Sequence, residues 1–353
     1  MYGYSDFNNE LNHIRLSHKR KLDVFRTCAE KDGINNIDRR EEFIVRVIWD
    51  IENQWKALRS KNKDNSKYLN NLCILYKFFI DAITVLGSDL KCLDYVDFCC
   101  SDEQHSILKF TSGDINCIKN NDSEIHLQTP IPYLQSKAVD VENYEKENII
   151  LLDSYNKLLE ILDYDSDDGR YLGHTNLINN LAYAIDCYVF NEIIKYCNNK
   201  EVDGTWSKRI PENVSMRDHY ETINYNISEC EGKIFSKTKK YTPNYILCGA
   251  SLIPIISLLN DFEPNKNNKV GSGAINIGKL QNKDVCVLSS LSEPKLILGC
   301  NYNINNCSYS DVLFQFSHIF RLPDVEDMIE PVYMDAVVKI MTDNLQVIEV
   351  SED

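Results

Sequence analysis

The residues that could do chemistry fall into a few small groups. Gly271, Ser272 and Gly273, with Gly278 five residues on, have the composition of a loop that cradles phosphate. Such loops aim backbone N–H groups at an anion and need a strand leading in and a helix leading out. The pattern supplies neither flank, so the segment reads as a loop with unusual backbone angles. Cys92, Cys99, Cys100 and His105 are ligand types suited to zinc. The chain has no C-x-x-C and no H-x-x-x-H spacing, however, and these thiols are expected in the interior of an extended arm. Ser251 follows Gly249 and Ala250 without the G-x-S-x-G pattern of a nucleophile elbow, and a helix-capping role accounts for it. The acidic run from Asp163 to Asp168, closed by Gly169, is the nearest approach to a calcium loop. His174 stands where that loop needs a bidentate Glu, so the run reads as a solvated turn. No cofactor, no metal and no catalytic residue is expected.

The polar residues that remain as candidates are Arg170, Arg209, Arg217 and Arg321. A guanidinium fork can bind a carboxylate through two parallel hydrogen bonds, so arginines beside acidic loops are candidates for inter-subunit contacts.

The elements that must position these residues are read from hydrophobic periodicity. A helix pair is expected from Asn36 to Leu86, with Asp38 capping the first helix and a polar break at 60–66. From Ser88 to Tyr144 the helical period is lost. Short runs at 106–110 and 115–120, separated by turn residues, predict an extended hairpin. Glu147–Leu162 is expected as a helix, and a longer helix should run from an N-cap at Thr175 to about Cys197, with Leu177, Leu181, Ile185, Tyr188 and Val189 on one stripe. Ser215 opens a further amphipathic helix through Met216, Tyr220, Ile223, Ile227, Cys230 and Ile234, and S-x-x-D offers a weak capping box.

Beyond this helix the chain changes to short strands. Tyr245–Cys248 is a strand, Ser251 is expected to cap a small helix with Pro254 in its first turn, and Ile275–Leu280 with Val285–Leu288 form a hairpin across Gln281–Lys283. Lys295–Leu298 adds a strand, and two long runs at 312–322 and 332–341 close the chain. The fold class is α+β, and nothing repeats internally.

A chain of 353 residues, 43% hydrophobic, can bury a sizeable core. Its formal net charge of -15 disfavours sequence-independent capture of nucleic acid, which needs a surplus of Lys and Arg. Residues 1–65 carry basic and acidic groups about equally, so the negative excess lies in the remainder. The first residues lack the apolar core of a signal peptide, and the 13 cysteines are read as reduced, intracellular and mostly interior, as at Cys187, Cys248 and Cys286. The most apolar stretch, Tyr68–Leu86, is interrupted by Asn70, Asn71, Lys77 and Asp81 and reads as a buried helix, not a membrane span.

Several blocks, in order, resemble the major capsid proteins of tailed bacteriophages with the Hong Kong 97-type fold, closest to their T-even-like branch. TKKYTPNYILCG resembles that family's turn and Asn-aromatic-Ile-Val strand, and SLIPIISLLNDFEP its following helix. AINIGKLQNKDVCVLSS is similar to its hairpin, EPKLILGCNYN to the next strand, and SDVLFQFSHIFRL and EPVYMDAVVKIM to its closing strands. Upstream, IHLQTPIPYLQSKAVDVENYEKENIILLD is similar to the returning extended loop and GHTNLINNLAYAIDCYVFNEIIKYC to the spine helix, so the likeness spans Ile125 to Val350. The family's Asp-Pro-Tyr-Ala, Gly-Tyr-Lys-Gly and Pro-Tyr-Val-Pro-Leu are replaced by SSLSEP, GCNYN and FSHIFRL.

The resemblance implies an N-terminal arm and helical segment at 1–87, an extended loop at 88–145, a peripheral domain at 146–204 and 309–353, and an axial domain at 205–308. It implies a non-enzymatic virion protein, assembled in the host cytoplasm into hexamers and pentamers around double-stranded DNA held without sequence-specific binding. Scaffold, portal and decoration proteins are further expected partners, and no membrane is expected. The alternatives are an encapsulin-like shell subunit or a minor capsid or vertex protein.

Overall fold

The computed structural model describes residues 39–61, 89–100, 107–110, 115–118, 124–127, 149–154, 170–265, 273–304, 307–321, 331–342 and 344–351, with single positions between 9 and 17 and between 69 and 87. Its helices are α1 (Arg39–Lys61), α2 (Arg170–Asn198), α3 (Met216–Thr238) and the single turn α4 (Ile253–Ile256). The strands in chain order are β1 (Asp97–Cys100), β2 (Ile107–Phe110), β3 (Ile115–Ile118), β4 (Glu124–Leu127), β5 (Ile149–Ser154), β6 (Gly204–Ser207), β7 (Tyr245–Gly249) and β8 (Phe262–Pro264). They continue with β9 (Ala274–Leu280), β10 (Lys283–Leu288), β11 (Lys295–Gly299), β12 (Asn301–Ile304), β13 (Cys307–Ser310), β14 (Val312–Arg321), β15 (Pro331–Ile340) and β16 (Gln346–Ser351). The architecture is α+β. Among the described residues no helix is long and apolar enough to cross a membrane.

The chain divides into two compact units, the first comprising Met1–Leu90, Phe98–Ala184 and Gln315–Val337. Here α1 forms because Phe43, Val47, Ile51 and Trp55 recur every four residues and, with Ile44, Ile48 and Leu58, are buried along one side. Phe43 meets Phe98 and Phe316 edge to face, with ring centroids 5.6 Å apart in each case. Such pairs add roughly 0.5–1.5 kcal/mol beyond their buried area. Asp38, the expected cap, lies outside the described residues; the start of α1 is tied instead by the Arg40 guanidinium donating to the Gly87 carbonyl at 3.0 Å. The expected hairpin is present and continues one strand further: β2, β3 and β4 run as an antiparallel meander in a sheet of order β1-β14-β15-β2-β3-β4.

Two expectations in this stretch are corrected. The helix expected over Glu147–Leu162 is replaced at 149–154 by β5, which pairs antiparallel with β15, Met334 opposite Ile149 and Pro331 opposite Ser154. Ile149, Ile150, Leu151 and Leu152 form a continuous apolar run with two β-branched residues, which suits a strand as well as a helix; pairing decides. Residues 155–162 and the acidic run 163–169 lie outside the described residues. The long helix begins at Arg170, five residues before the expected cap, so Thr175 is inside it.

The second unit comprises Lys91–Asp97, Ile185–Phe314 and Val338–Asp353. Its sheet has the order β6-β16-β11-β7-β10-β9-β8, with β6 parallel to β16 and β7 parallel to β10 and the remaining neighbours antiparallel. Strands buried on both faces lose the polar alternation, and all five residues of β7 are buried. On one face Ile246, Cys248, Val285, Val287, Leu296, Leu298, Ile348 and Val350 meet Ile223, Ile227 and Cys230 of α3. Each such isoleucine contributes roughly 1.5–3 kcal/mol by burial. Met216, expected on this stripe, is 57% exposed, because the helix has only just begun at that point and the sheet does not reach it.

The opposite face receives segment 91–97 and the second half of α2, whose Ile185, Tyr188, Val189 and Ile193 are buried. The Tyr95 ring packs edge-on against Tyr245 of β7 at 5.5 Å and lies 6.1 Å from Phe190. Asp186, fully buried within α2, accepts hydrogen bonds from the backbone N–H groups of Cys92 at 2.8 Å and Lys91 at 3.0 Å. Its carboxylate thereby holds the one-turn 3-10 helix Cys92–Asp94.

Candidate interaction surfaces

The four arginines take two different settings. Arg209 and Arg217 are both exposed, on either side of the connection from β6 to α3. Arg170 is the first residue of α2 and Arg321 the last of β14. The first two flank a short connection that is held at both ends. At its start the Ser207 hydroxyl accepts the Arg209 N–H at 3.0 Å. At its end Ser215 is the N-cap of α3 expected from the sequence, accepting the Asp218 N–H at 3.1 Å, while its hydroxyl donates to the Asp218 carboxylate at 2.7 Å in place of the reciprocal backbone bond of a full capping box. Between the two arginines Ile210 is 37% exposed and Val214 39% exposed, and Glu212 is exposed as well, so a partly apolar segment of mixed charge faces solvent.

Next to this connection the sheet edge is fixed by an aromatic stack that the sequence did not signal. Trp206 of β6 stacks on His219 at 4.8 Å and on Tyr220 at 5.8 Å. Its indole N–H donates to the Thr222 hydroxyl at 2.9 Å. The His219 Nε2 is 2.7 Å from the Ser207 carbonyl, so that nitrogen carries the proton and the imidazole is a structural donor.

The ribbon β12–β13 is clamped by tyrosines. Tyr302 and Tyr309 are cross-strand partners, and Tyr241 stacks on Tyr309 at 4.1 Å and on Tyr302 at 5.4 Å. The base of the ribbon is held by Asp311, which is fully buried. Its carboxylate accepts the Cys300 N–H at 2.7 Å and the Thr342 hydroxyl at 2.6 Å. Burial pushes this carboxyl above the usual carboxylate range, while the bonds from Thr342 and Cys300 pull the other way. Neither Asp186 nor Asp311 stood out in the sequence. The one available signal was a lone acid amid apolar positions, as in Ala184-Ile185-Asp186-Cys187-Tyr188.

The chemically suggestive residues are placed as follows. Gly273 has φ 67° and enters a strand, β9, not a helix; Gly271 lies outside the described residues. Gly278 has φ 153°, and a Cβ there would stand 2.2 Å from the Glu263 carbonyl oxygen, so this glycine serves the close approach of β8. Ser251 does not cap a helix: it is an exposed residue within the 3-10 turn Ala250–Leu252, and α4 begins without a side-chain cap. Pro254 does fall in the first turn of α4. Cys92 is buried in its 3-10 turn, Cys99 and Cys100 end β1, and His105 lies outside the described residues. Among the described residues no three His, Cys, Asp or Glu groups converge as metal ligands.

No protein-family model and no curated protein matches the chain.

Proposed function

We propose that this chain is a structural virion protein, the major capsid protein of a tailed bacteriophage. In this reading it is not an enzyme; its copies form hexamers and pentamers of an icosahedral head around double-stranded DNA. The observation that carries the reading is the collinear order of the capsid-like blocks, several of which coincide with elements. The block 238–249 ends on β7, 274–290 covers the β9–β10 hairpin, 293–303 covers β11, and the last two blocks cover β14 and β15. In this reading α2 is the spine helix and the β2–β4 meander part of the extended loop. Arg209 and Arg217, exposed beside apolar side chains, supply a surface of the kind that joins subunits, since arginine is enriched at interface cores.

The test is negative-stain electron microscopy with size-exclusion light scattering on the purified chain, alone and co-expressed with a scaffold protein. Closed shells, sheets or discrete pentamers and hexamers are expected, with nucleic acid inside shells recovered from infected cells. A chain that remains a monomer or dimer at every concentration, with and without scaffold, overturns the proposal. Shells filled with a cargo enzyme instead of DNA would make it a compartment protein.

A further inference from the structure

The second unit is completed by a piece of chain that arrives from elsewhere in the sequence. Lys91–Asp97 belongs to it, whereas the chain on either side, Met1–Leu90 and Phe98–Ala184, belongs to the first unit. Side chains of the second unit hold this strap. The Asp186 carboxylate accepts the Lys91 and Cys92 N–H groups, the Asn301 amide donates to the Asp94 carbonyl at 3.1 Å, and the Ser310 hydroxyl accepts the Asp97 N–H at 3.2 Å. The Tyr95 ring lies beside Phe190 and Tyr245, and its hydroxyl is hydrogen-bonded to the Cys286 thiol.

We propose that Lys91–Asp97 is a conformational device, a strap that detaches from the second unit as one piece and ahead of the sheet beneath it, with Asp186 as its clasp. The two covers of the sheet differ in what lifting them uncovers. Lifting α3 opens the core in which Ile223, Ile227 and Cys230 meet Ile246, Val285, Leu296 and Ile348. The strap's own buried side chains are Cys92, Leu93, Tyr95 and Val96. Native proteins open locally through the segments that uncover the least apolar surface. The clasp is a charge-assisted bond, the strongest kind holding the strap, yet its carboxylate and both N–H groups regain hydrogen bonds to water once they part. Neighbouring strands carry a reporter of which cover lifts, since Cys286 of β10 lies beneath Tyr95 while Cys248 of β7 faces α3. Release of the strap bares the first sulfur and not the second, and frees the chain on either side of the strap while the sheet stays folded.

The test is hydrogen–deuterium exchange of the full chain, read by mass spectrometry. Protection across the strap is expected to be roughly tenfold or more below that of β7 and β10 in the wild-type chain. Asp186→Asn keeps an acceptor oxygen but removes its charge, and is expected to lower strap protection by about a further tenfold while α3 exchanges as before. In the same variant iodoacetamide should modify Cys286 ahead of Cys248. Strap amides as protected as those of β7 and β10 in the wild-type chain overturn the inference, whether or not the variant folds. A folded variant in which Cys248 and Cys286 react together overturns it as well.

Discussion

At the scale of single residues, the second unit is sensitive where polar groups are sealed in. Tyr245 is 1% exposed, and its hydroxyl finds no hydrogen-bond partner among the described residues. An unmet hydroxyl costs about 1–3 kcal/mol, so Tyr245→Phe is expected to leave stability unchanged or raise it by about 1 kcal/mol in urea unfolding. A loss would show that a partner exists. Asp311 behaves differently because its carboxylate is bonded as well as buried. Its folded pKa is raised above the ordinary value of 3.8, so the folded chain holds this proton more tightly than the unfolded chain. The stability contributed is therefore fully present below the ordinary value and declines as pH rises through the raised one. Asp311→Asn removes the titration. Wild type should exceed this variant by about 1–3 kcal/mol in acid, and the margin should shrink toward neutral pH. Melting curves of both chains across pH check this, and a margin that widens with pH would reverse the assignment.

At the scale of elements, the β9–β10 turn shows local sequence and tertiary packing pulling apart. Gln281 has φ 50° and Asn282 φ 64°, the two left-handed residues of a type I′ hairpin turn. Asparagine tolerates that conformation, whereas glutamine has no local preference for it and is held by a long hydrogen bond from its amide to the Asn224 carbonyl at 3.4 Å, while strands on both sides hold the register. Replacing the pair by Asn-Gly, the preferred type I′ sequence, is expected to raise stability by about 0.5–1 kcal/mol, read from the denaturant midpoint. The same balance explains what was legible beforehand. The α3 helix could be read from Ser215 through Ile234 because cap and stripe agree, and the hairpin because alternation and turn agree. Ile149–Ser154 could not, because an apolar run satisfies both periods and β15, about 180 residues away, decides between them. The strands β6, β8, β12, β13 and β16 were missed because they are short and take their order from neighbours. The cap expected at Ser251 failed because the chain enters α4 through a 3-10 turn, a choice set by backbone geometry that residue type does not announce. Of the four arginines, sequence identified the residue type, and only the fold shows that Arg209 and Arg217 are exposed at the two ends of the connection from β6 to α3.

At the scale of the molecule, the thiols report whether the folded chain opens. Cys73, Cys92, Cys187, Cys197, Cys230, Cys248, Cys286 and Cys300 are all buried and unpaired in disulfides. Burial pushes Cys73 and Cys230 up to about 11 and Cys197 and Cys248 up to about 12, and raises Cys286 and Cys300 further. A thiol with a pKa of about 12 is ionised to roughly one part in 10⁵ at pH 7, and the thiolate is the nucleophile. Reactivity is therefore suppressed twice, by ionisation and by access. Iodoacetamide should modify at most Cys28, Cys99, Cys100, Cys117 and Cys307 in the native chain at neutral pH, and all thirteen cysteines in urea. Because six of the eight buried thiols lie in the 185–314 portion of the second unit and Cys73 in the first, peptide mapping during a denaturant series separates the opening of one unit from the other. Modification of Cys248 or Cys286 under native conditions, before Cys73 reacts, would show that the central strands of the second sheet are the weaker part of the molecule. The expected order is the reverse, because β7 and β10 are covered on both faces, by α3 over Cys248 and by the segment bearing Tyr95 over Cys286, so one of these layers must lift before either sulfur meets solvent.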